Sequence, residues 1–321
     1  LIKNHPVIWA LKDDRPGDYN QVFGVAEALG SPYEIKEIKF TKYVRLTNLI
    51  RGSSLLGIDM EQSTKMEAPW PDIILGAGRK TAPLSRYIKK QSGGKTKLVQ
   101  MMWPGFPVSD FDMIVTPKHD ALISSKRIFN SVGAPNRVTP EMLRQHAEKW
   151  RDKFAHLPKL KIALLVGGNT KGGKFTDKHA KDLVDKVSQF VEGKDVGLLI
   201  TNSRRTSESA TNFLKNGIKT PYYFHDSKSG NENPFFGYLA LSDVIIVSGD
   251  SISMCSEACS TGKPVYIYAP ANITPRKHKQ FHQSLYEKGY AKPLTNKWLE
   301  YNYFPLNDAK LVAEAIRKNY F

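Results

Sequence analysis

The sequence predicts an α/β protein made of two doubly wound, parallel-sheet domains facing a cleft. Short apolar runs of strand length alternate with amphipathic helical windows along the chain, the pattern of parallel strands joined by crossover helices. The 321 residues exceed the usual size of one hydrophobic core, so two domains of roughly 150 residues are expected. Loops rich in Gly and Ser follow several of the runs, where open parallel sheets carry their ligand crevices.

The strand-like runs of the first half are Val7 to Leu11, Ile73 to Leu75, Leu98 to Met102 and Met113 to Val115. Those of the second are Ile162 to Val166, Val196 to Ile200, Tyr222 to Phe224, Val244 to Val247 and Val265 to Tyr268. Between the halves a charged helix ending near Lys153 meets Ala155-His156-Leu157-Pro158, which places a hinge within Phe154 to Leu160. The expected domains are therefore residues 1–155 and 156–306. A last helix, from Asn307 to about Lys318, is expected to pack back on the N-terminal domain.

Lys and Arg number 47 against 31 Asp and Glu, a net charge of +16. That excess suits phosphorylated ligands, nucleic acid or an acidic membrane surface. The basic residues are scattered without a long run, so nucleic acid is not among the expected partners, and a generally lysine-rich proteome would give the same count. No apolar stretch approaches the roughly 20 residues that span a bilayer, and no signal pattern opens the chain. A cytoplasmic protein, peripheral on a membrane at most, is expected, although a start at Leu1 leaves room for a trimmed leader. The two cysteines, Cys255 and Cys259, share one predicted helix and read as core thiols.

Ser242 to Pro270 is the most informative segment, reading strand, small-polar loop, helix, turn, strand. Gly249, Ser251 and Ser253 offer amides and hydroxyls at a helix N-terminus, where phosphate binds. Glu257, one turn on, can accept hydrogen bonds from a ribose diol. The same residues also suit an ordinary buried turn whose serines cap the helix. Gly167-Gly168-Asn169-Thr170 opens a lysine-bearing glycine loop. Gly168 to Lys174 satisfies G-x-x-x-x-G-K, but Phe175 stands where a P-loop needs Ser or Thr for magnesium. Ser203-Arg204-Arg205-Thr206 sets two guanidinium forks at another strand end, able to clamp a diphosphate. One nucleotide touching all three loops is the economical reading.

In the first half Asp13, Asp14 and Asp18 follow the first strand, and His119-Asp120 follows a later one. These are candidates for a base that takes a proton from an acceptor hydroxyl, with Asp14, Asp18 and His119 preferred. For any one of them a turn carboxylate or cap is the favoured reading. Asp110-Phe111-Asp112 has a metal-site look but precedes a strand, and no metal site is expected. A sugar-nucleotide epimerase or reductase would want the dinucleotide glycine fingerprint after the first strand and a Tyr-x-x-x-Lys pair, and neither occurs. His278 and His282 lack the glutamate of H-E-x-x-H and read as a surface helix face.

Several specific pieces carry a resemblance to a known family. They include Gly78-Arg79-Lys80-Thr81-Ala82-Pro83, Thr116-Pro117-Lys118-His119-Asp120, Val166-Gly167-Gly168, Ser203-Arg204-Arg205-Thr206, the run Asp250 to Tyr266, and Pro305-Leu306-Asn307-Asp308. Over nearly its full length the chain resembles the plant "elongated mitochondria" mitochondrial-fission family and its bacterial homologues. Plant members are implicated in recruiting a dynamin-related GTPase, whereas bacterial members resemble two-Rossmann GT-B glycosyltransferases. The loop from Asp243 to Pro264 also looks like the donor loop of the lipid II-forming N-acetylglucosaminyltransferase, with Glu257 and Gly262 at matching spacing; Ser248-Gly249-Asp250 departs from it where that enzyme has an arginine.

Joined to the loop readings above, the resemblance leads to the expectation of a metal-independent glycosyltransferase with no cofactor and a nucleotide-diphosphate sugar as donor. Its donor contacts would come from Gly167, Gly168, Asn169, Thr170, Ser203, Arg204, Arg205, Ser251, Ser253, Met254 and Glu257. The acceptor would be a lipid-linked or glycan molecule at an anionic membrane. The alternatives are a non-catalytic adaptor that binds a protein partner, and an NTP-binding protein acting through the near P-loop.

Overall fold

A computed structural model of the chain describes residues 5–117, 120, 125–170 and 172–321. Its contacts divide into two compact units, Leu1–Arg137 with Asn307–Phe321, and Val138–Leu306. The first contains β1 (Ile8–Lys12), α1 (Pro16–Leu29), β2 (Tyr33–Glu37), α2 (Asn48–Arg51), β3 (Ile73–Ala77), α3 (Gly78–Gln91), β4 (Lys97–Met101), β5 (Met113–Pro117) and β6 (Ile128–Ser131). The second contains α4 (Pro140–Trp150), β7 (Leu160–Leu165), α5 (Asp177–Phe190), β8 (Val196–Thr201), α6 (Glu208–Gly217), β9 (Tyr222–His225), α7 (Phe235–Leu241), β10 (Val244–Ser248), α8 (Ile252–Cys259), β11 (Val265–Tyr268), α9 (Arg276–Glu287) and β12 (Lys292–Pro293). The chain then returns to the first unit as α10 (Asp308–Tyr320).

Among the described residues each unit holds one six-stranded, wholly parallel sheet. The orders are β2-β1-β3-β4-β5-β6 and β12-β11-β10-β7-β8-β9. Central strands are covered by helices on both faces and so read as unbroken apolar runs. In the first unit Ile8, Ala10, Leu75 and Val99 face α1 and α10, while Trp9, Leu11, Ile74 and Leu98 face α3. In the second, Ile162, Leu164, Leu198, Ile200 and Ile246 form one face with α5 and α6. The strand order reverses between β1 and β3, and again between β7 and β10, and such switch points open the crevice of a doubly wound sheet.

Residues 138–155 belong to the second unit, not to the first as the expected division at residue 155 had it. Aromatic packing decides this. Trp150 stacks on Phe154 with centroids 5.8 Å apart, Phe154 meets Tyr238 at 5.4 Å, and Gly237 of α7 leaves room for the Trp150 ring. The chain re-enters the first unit at α10, where Asn307 caps the helix by accepting from the Lys310 amide. The Asp308 carboxylate accepts from the amides of Val132 at 3.0 Å and Gly133 at 2.7 Å. Val312, Ala313 and Ile316 then enter the core against α1.

Candidate functional sites at the strand ends

In the second unit the loops after β7, β8 and β10 are tied into one structure at the carboxyl edge of the sheet. Asp250 is the tie. Its carboxylate accepts from the Gly168 amide at 3.0 Å, from the Ser248 hydroxyl at 2.6 Å and from Arg205 Nη2 at 2.9 Å. Ser248 Oγ in turn accepts from the Gly167 amide at 2.6 Å, and Thr206 donates to the Gly167 carbonyl at 2.6 Å. Arg205 also reaches the Asn169 carbonyl at 3.1 Å. Only glycine fits at 167, because a Cβ there would meet the Asp250 carboxylate, and at 168 it would meet the Arg205 backbone.

The expected contacts Gly167, Gly168, Asn169, Ser203 and Arg205 therefore come together, with part of their donor capacity spent inside the protein. Ser203 Oγ accepts from the Arg205 amide, Asn169 Oδ1 accepts from the Phe175 amide, and Thr170 closes a tight turn with Gly173. Arg204 is exposed beside them. On the β10 side Ser251 caps α8 by accepting from the Met254 amide at 3.3 Å. The amides of Ile252 and Ser253 occupy the first turn, where a helix presents donors to an outside anion. Glu257 lies on the second turn of α8 and is buried.

The near P-loop fails on geometry. Phe175, in place of the magnesium-binding hydroxyl, is buried in the core, and α5 starts only at Asp177. Its first turn is closed by a Thr176–His179 capping box and carries an acidic residue. The histidine pair on α9 is also not the exposed face expected. His282 is buried with its ring against Gly249, and His278 donates from Nδ1 to the Gly249 carbonyl at 3.1 Å. Together they clamp the β10 loop, and their i, i+4 spacing was the signal available in sequence.

At the carboxyl edge of the first sheet the three aspartates separate. Asp14, 53% exposed, lies 2.6 Å from Lys80 Nζ. Burial pushes its carboxyl up, but the hydrogen bond and charge of Lys80 outweigh that and hold it below the usual range. Asp13 is only 6% exposed. One oxygen accepts from the Arg15 amide at 3.0 Å, and Oδ2 has no hydrogen-bond partner among the described residues. Burial and then the neighbouring Asp18 raise it to about 7. Burial raises Asp18 as well, against the charges of Arg15 and Lys80, which pull it down. Asp18 sits beside Gly78, whose φ of 64° opens α3. The pair suited to a proton near neutrality is thus Asp13 with Asp18; Asp14 is a paired anion. His119 lies outside the described residues, which also hold no group of three or more His, Cys, Asp or Glu placed to bind a metal. No described helix is long and apolar enough to cross a membrane.

Two Rossmann-like units, each with its loops at a switch point, define the class of protein: the GT-B fold. The UDP-GlcNAc 2-epimerase from Methanocaldococcus jannaschii, solved in complex with UDP-GlcNAc and UDP, matches with a TM-score of 0.55 at 12% identity, over 97% of this chain and 99% of that one. The spinosyn forosaminyltransferase SpnP matches with a TM-score of 0.51 at 12% identity, over 98% and 90%. The family model described as mitochondrial fission ELM1 matches residues 16–320, and the chain belongs to that family. A Rickettsia prowazekii (strain Madrid E) protein named uncharacterized protein RP120 is 32% identical, over 97% of each chain. The Arabidopsis thaliana mitochondrial fission protein ELM1 is 29% identical, over 78% of this chain and 64% of its own length. The missing dinucleotide fingerprint argues only against a dinucleotide-dependent epimerase, since the solved 2-epimerase shares this fold.

Proposed function

We propose that the chain binds a nucleoside diphosphate sugar at the β7–β10 switch point and transfers the sugar, without a metal ion, to an acceptor served by the first unit. The observation that carries this is the convergence of the glycine, arginine and serine loops on one edge, held by Asp250. The α8 amides and Arg204 and Arg205 would stabilise the diphosphate as its bond to the anomeric carbon breaks. Glu257 would hold the ribose. The acceptor oxygen forms the new bond to that carbon as it gives up its proton, and the Asp13–Asp18 pair, with its elevated affinity for a proton, is the candidate for a base working near neutrality. Solved neighbours named for nucleotide-sugar enzymes support the reading through their shared fold. The acceptor class we favour is lipid-linked or glycan, met at a membrane surface.

One observation favours a second reading, a GT-B-fold adaptor of the fission-family type. Asp250 already takes the Gly168 amide and Arg205, so an incoming anion competes with an internal one. A thermal-shift panel of nucleoside diphosphates and nucleotide sugars, with and without magnesium, separates the two. A ligand at 100 times its Kd adds about 2.7 kcal/mol. Stabilisation without metal that is lost in Glu257→Ala supports the transferase, and no response across the panel favours the adaptor. Conversion of UDP-GlcNAc to an epimer in the absence of acceptor would reassign the site to an epimerase.

A further inference from the structure

The first unit carries an apolar face that its own core does not use. Leu49 and Ile50, adjacent on the single-turn helix α2, are 73% and 64% exposed, and Tyr43, Leu56, Met60 and Phe106 are exposed with them. This exposure is not a fraying loop. Arg51, at the end of the same turn, is 1% exposed and donates to the carbonyls of Leu56 at 2.9 Å and Lys80 at 3.0 Å. Asn48, 3% exposed, donates to the carbonyls of Pro104 at 2.6 Å and Arg79 at 3.1 Å. Two buried polar side chains thus fix the turn so that Leu49 and Ile50 face solvent. The bonds of Asn48 also set the 102–107 loop, with Phe106, next to them.

The charge beside Leu49 and Ile50 is basic, whereas Asp59 and Glu61 flank Met60 at the far end of the face. From Lys39 to Ile58 the sequence has four basic residues, Lys39, Lys42, Arg45 and Arg51, and no acidic one. Lys42, Arg45 and Arg79 are exposed, Lys42 with its ammonium 5.5 Å from the centre of the Tyr43 ring and Arg79 reaching the Leu46 carbonyl at 3.5 Å. Exposed Leu and Ile fixed on a folded surface and flanked by Lys and Arg are the elements of an interfacial anchor, in which apolar groups enter the acyl boundary and cations meet lipid phosphates. An ordinary solvated surface would not hold two large aliphatic side chains outward with buried anchors.

We propose that the 42–56 segment and Phe106 dock the chain on an anionic bilayer, with Leu49 and Ile50 inserted and Lys42, Arg45 and Arg79 against the headgroups. This deepens the acceptor half of the proposed function. The same unit holds the Asp13–Asp18 pair, and Arg51 and Asp14 meet on Lys80, through its carbonyl and its ammonium respectively, so an amphiphilic acceptor lying in the membrane would be presented close to the base.

The test is co-sedimentation of the full chain with vesicles of equal parts phosphatidylglycerol and phosphatidylcholine, and with phosphatidylcholine alone. Binding to the anionic vesicles only, weakened by salt, is expected. The double variant Leu49→Ser/Ile50→Ser should lose about tenfold in partitioning, and Lys42→Glu/Arg45→Glu should lose at least as much at low salt. All four positions are exposed, so melting temperatures should match the parent. Phe304→Ser, at the most exposed aromatic of the second unit, should bind as the parent does. Failure of the folded parent to bind either vesicle overturns the proposal and leaves the face to a protein partner. Unchanged partitioning of the Leu49/Ile50 variant, or equal loss from Phe304→Ser, overturns it too. Nucleotide binding is read separately, so this failure and that of the transferase reading are distinguishable.

Discussion

Asp13 and Asp250 each stand just past a strand that borders a switch point, β1 in one sheet and β10 in the other. Asp250 spends its charge on an amide, a hydroxyl and a guanidinium drawn from three loops. Asp13 is as buried yet meets one amide and a second carboxyl. A carboxylate beside a switch point thus yields a structural tie in one unit and a proton-holding group in the other. Partners, rather than burial, decide which, because a carboxylate taken out of water must be compensated by donors or else by a proton.

Removing the tie should have the larger effect. Asp250→Ala leaves Arg205, Ser248 and the Gly168 amide without their shared acceptor, and should cost about 2–4 kcal/mol in urea unfolding. Adding Arg205→Ala should cost less in that background than alone. Additive losses would break the claim that the three loops act as one.

Asp13→Asn should do the reverse. The unfolded carboxyl loses its proton near its ordinary value of 3.8, while the folded one keeps it to about 7. The native state therefore binds the extra proton between those values, and stability falls as pH rises through that window. Asn, which cannot ionise, should be more stable than the parent by about 1–3 kcal/mol at pH 8 and equal to it at pH 4. Because the pair titrates jointly, Asp18→Asn should flatten the same profile. An identical difference at both pH values would contradict the assignment. The smallest effect belongs to Asp14→Asn, which breaks an exposed ion pair with Lys80 and should change stability by less than about 1 kcal/mol.

The central strands were legible because a parallel strand buried on both faces must be apolar throughout, as Ile73 to Leu75 and Val244 to Val247 are. The elements that escaped were sheet edges. β2, β6 and β12 each lie at an end of the order, and β2, Tyr-Glu-Ile-Lys-Glu, buries only Lys36 fully. The three loops that Asp250 joins in the second unit could be read from Gly, Arg and Ser at strand ends. Asp250 could not, since its partners lie 45 and 82 residues away. Nor does sequence order separate Asp13 from Asp14, whose difference is made by Lys80 and Asp18 in space.

The most direct test of the central claim is backbone amide chemical-shift mapping of the chain titrated with UDP in the absence of metal. The account predicts perturbations concentrated at 167–170, 203–206 and 249–254, with Ile252 and Ser253 largest, as expected if one diphosphate meets all three loops. No perturbation at these loops, or perturbations confined to a single one, would contradict it.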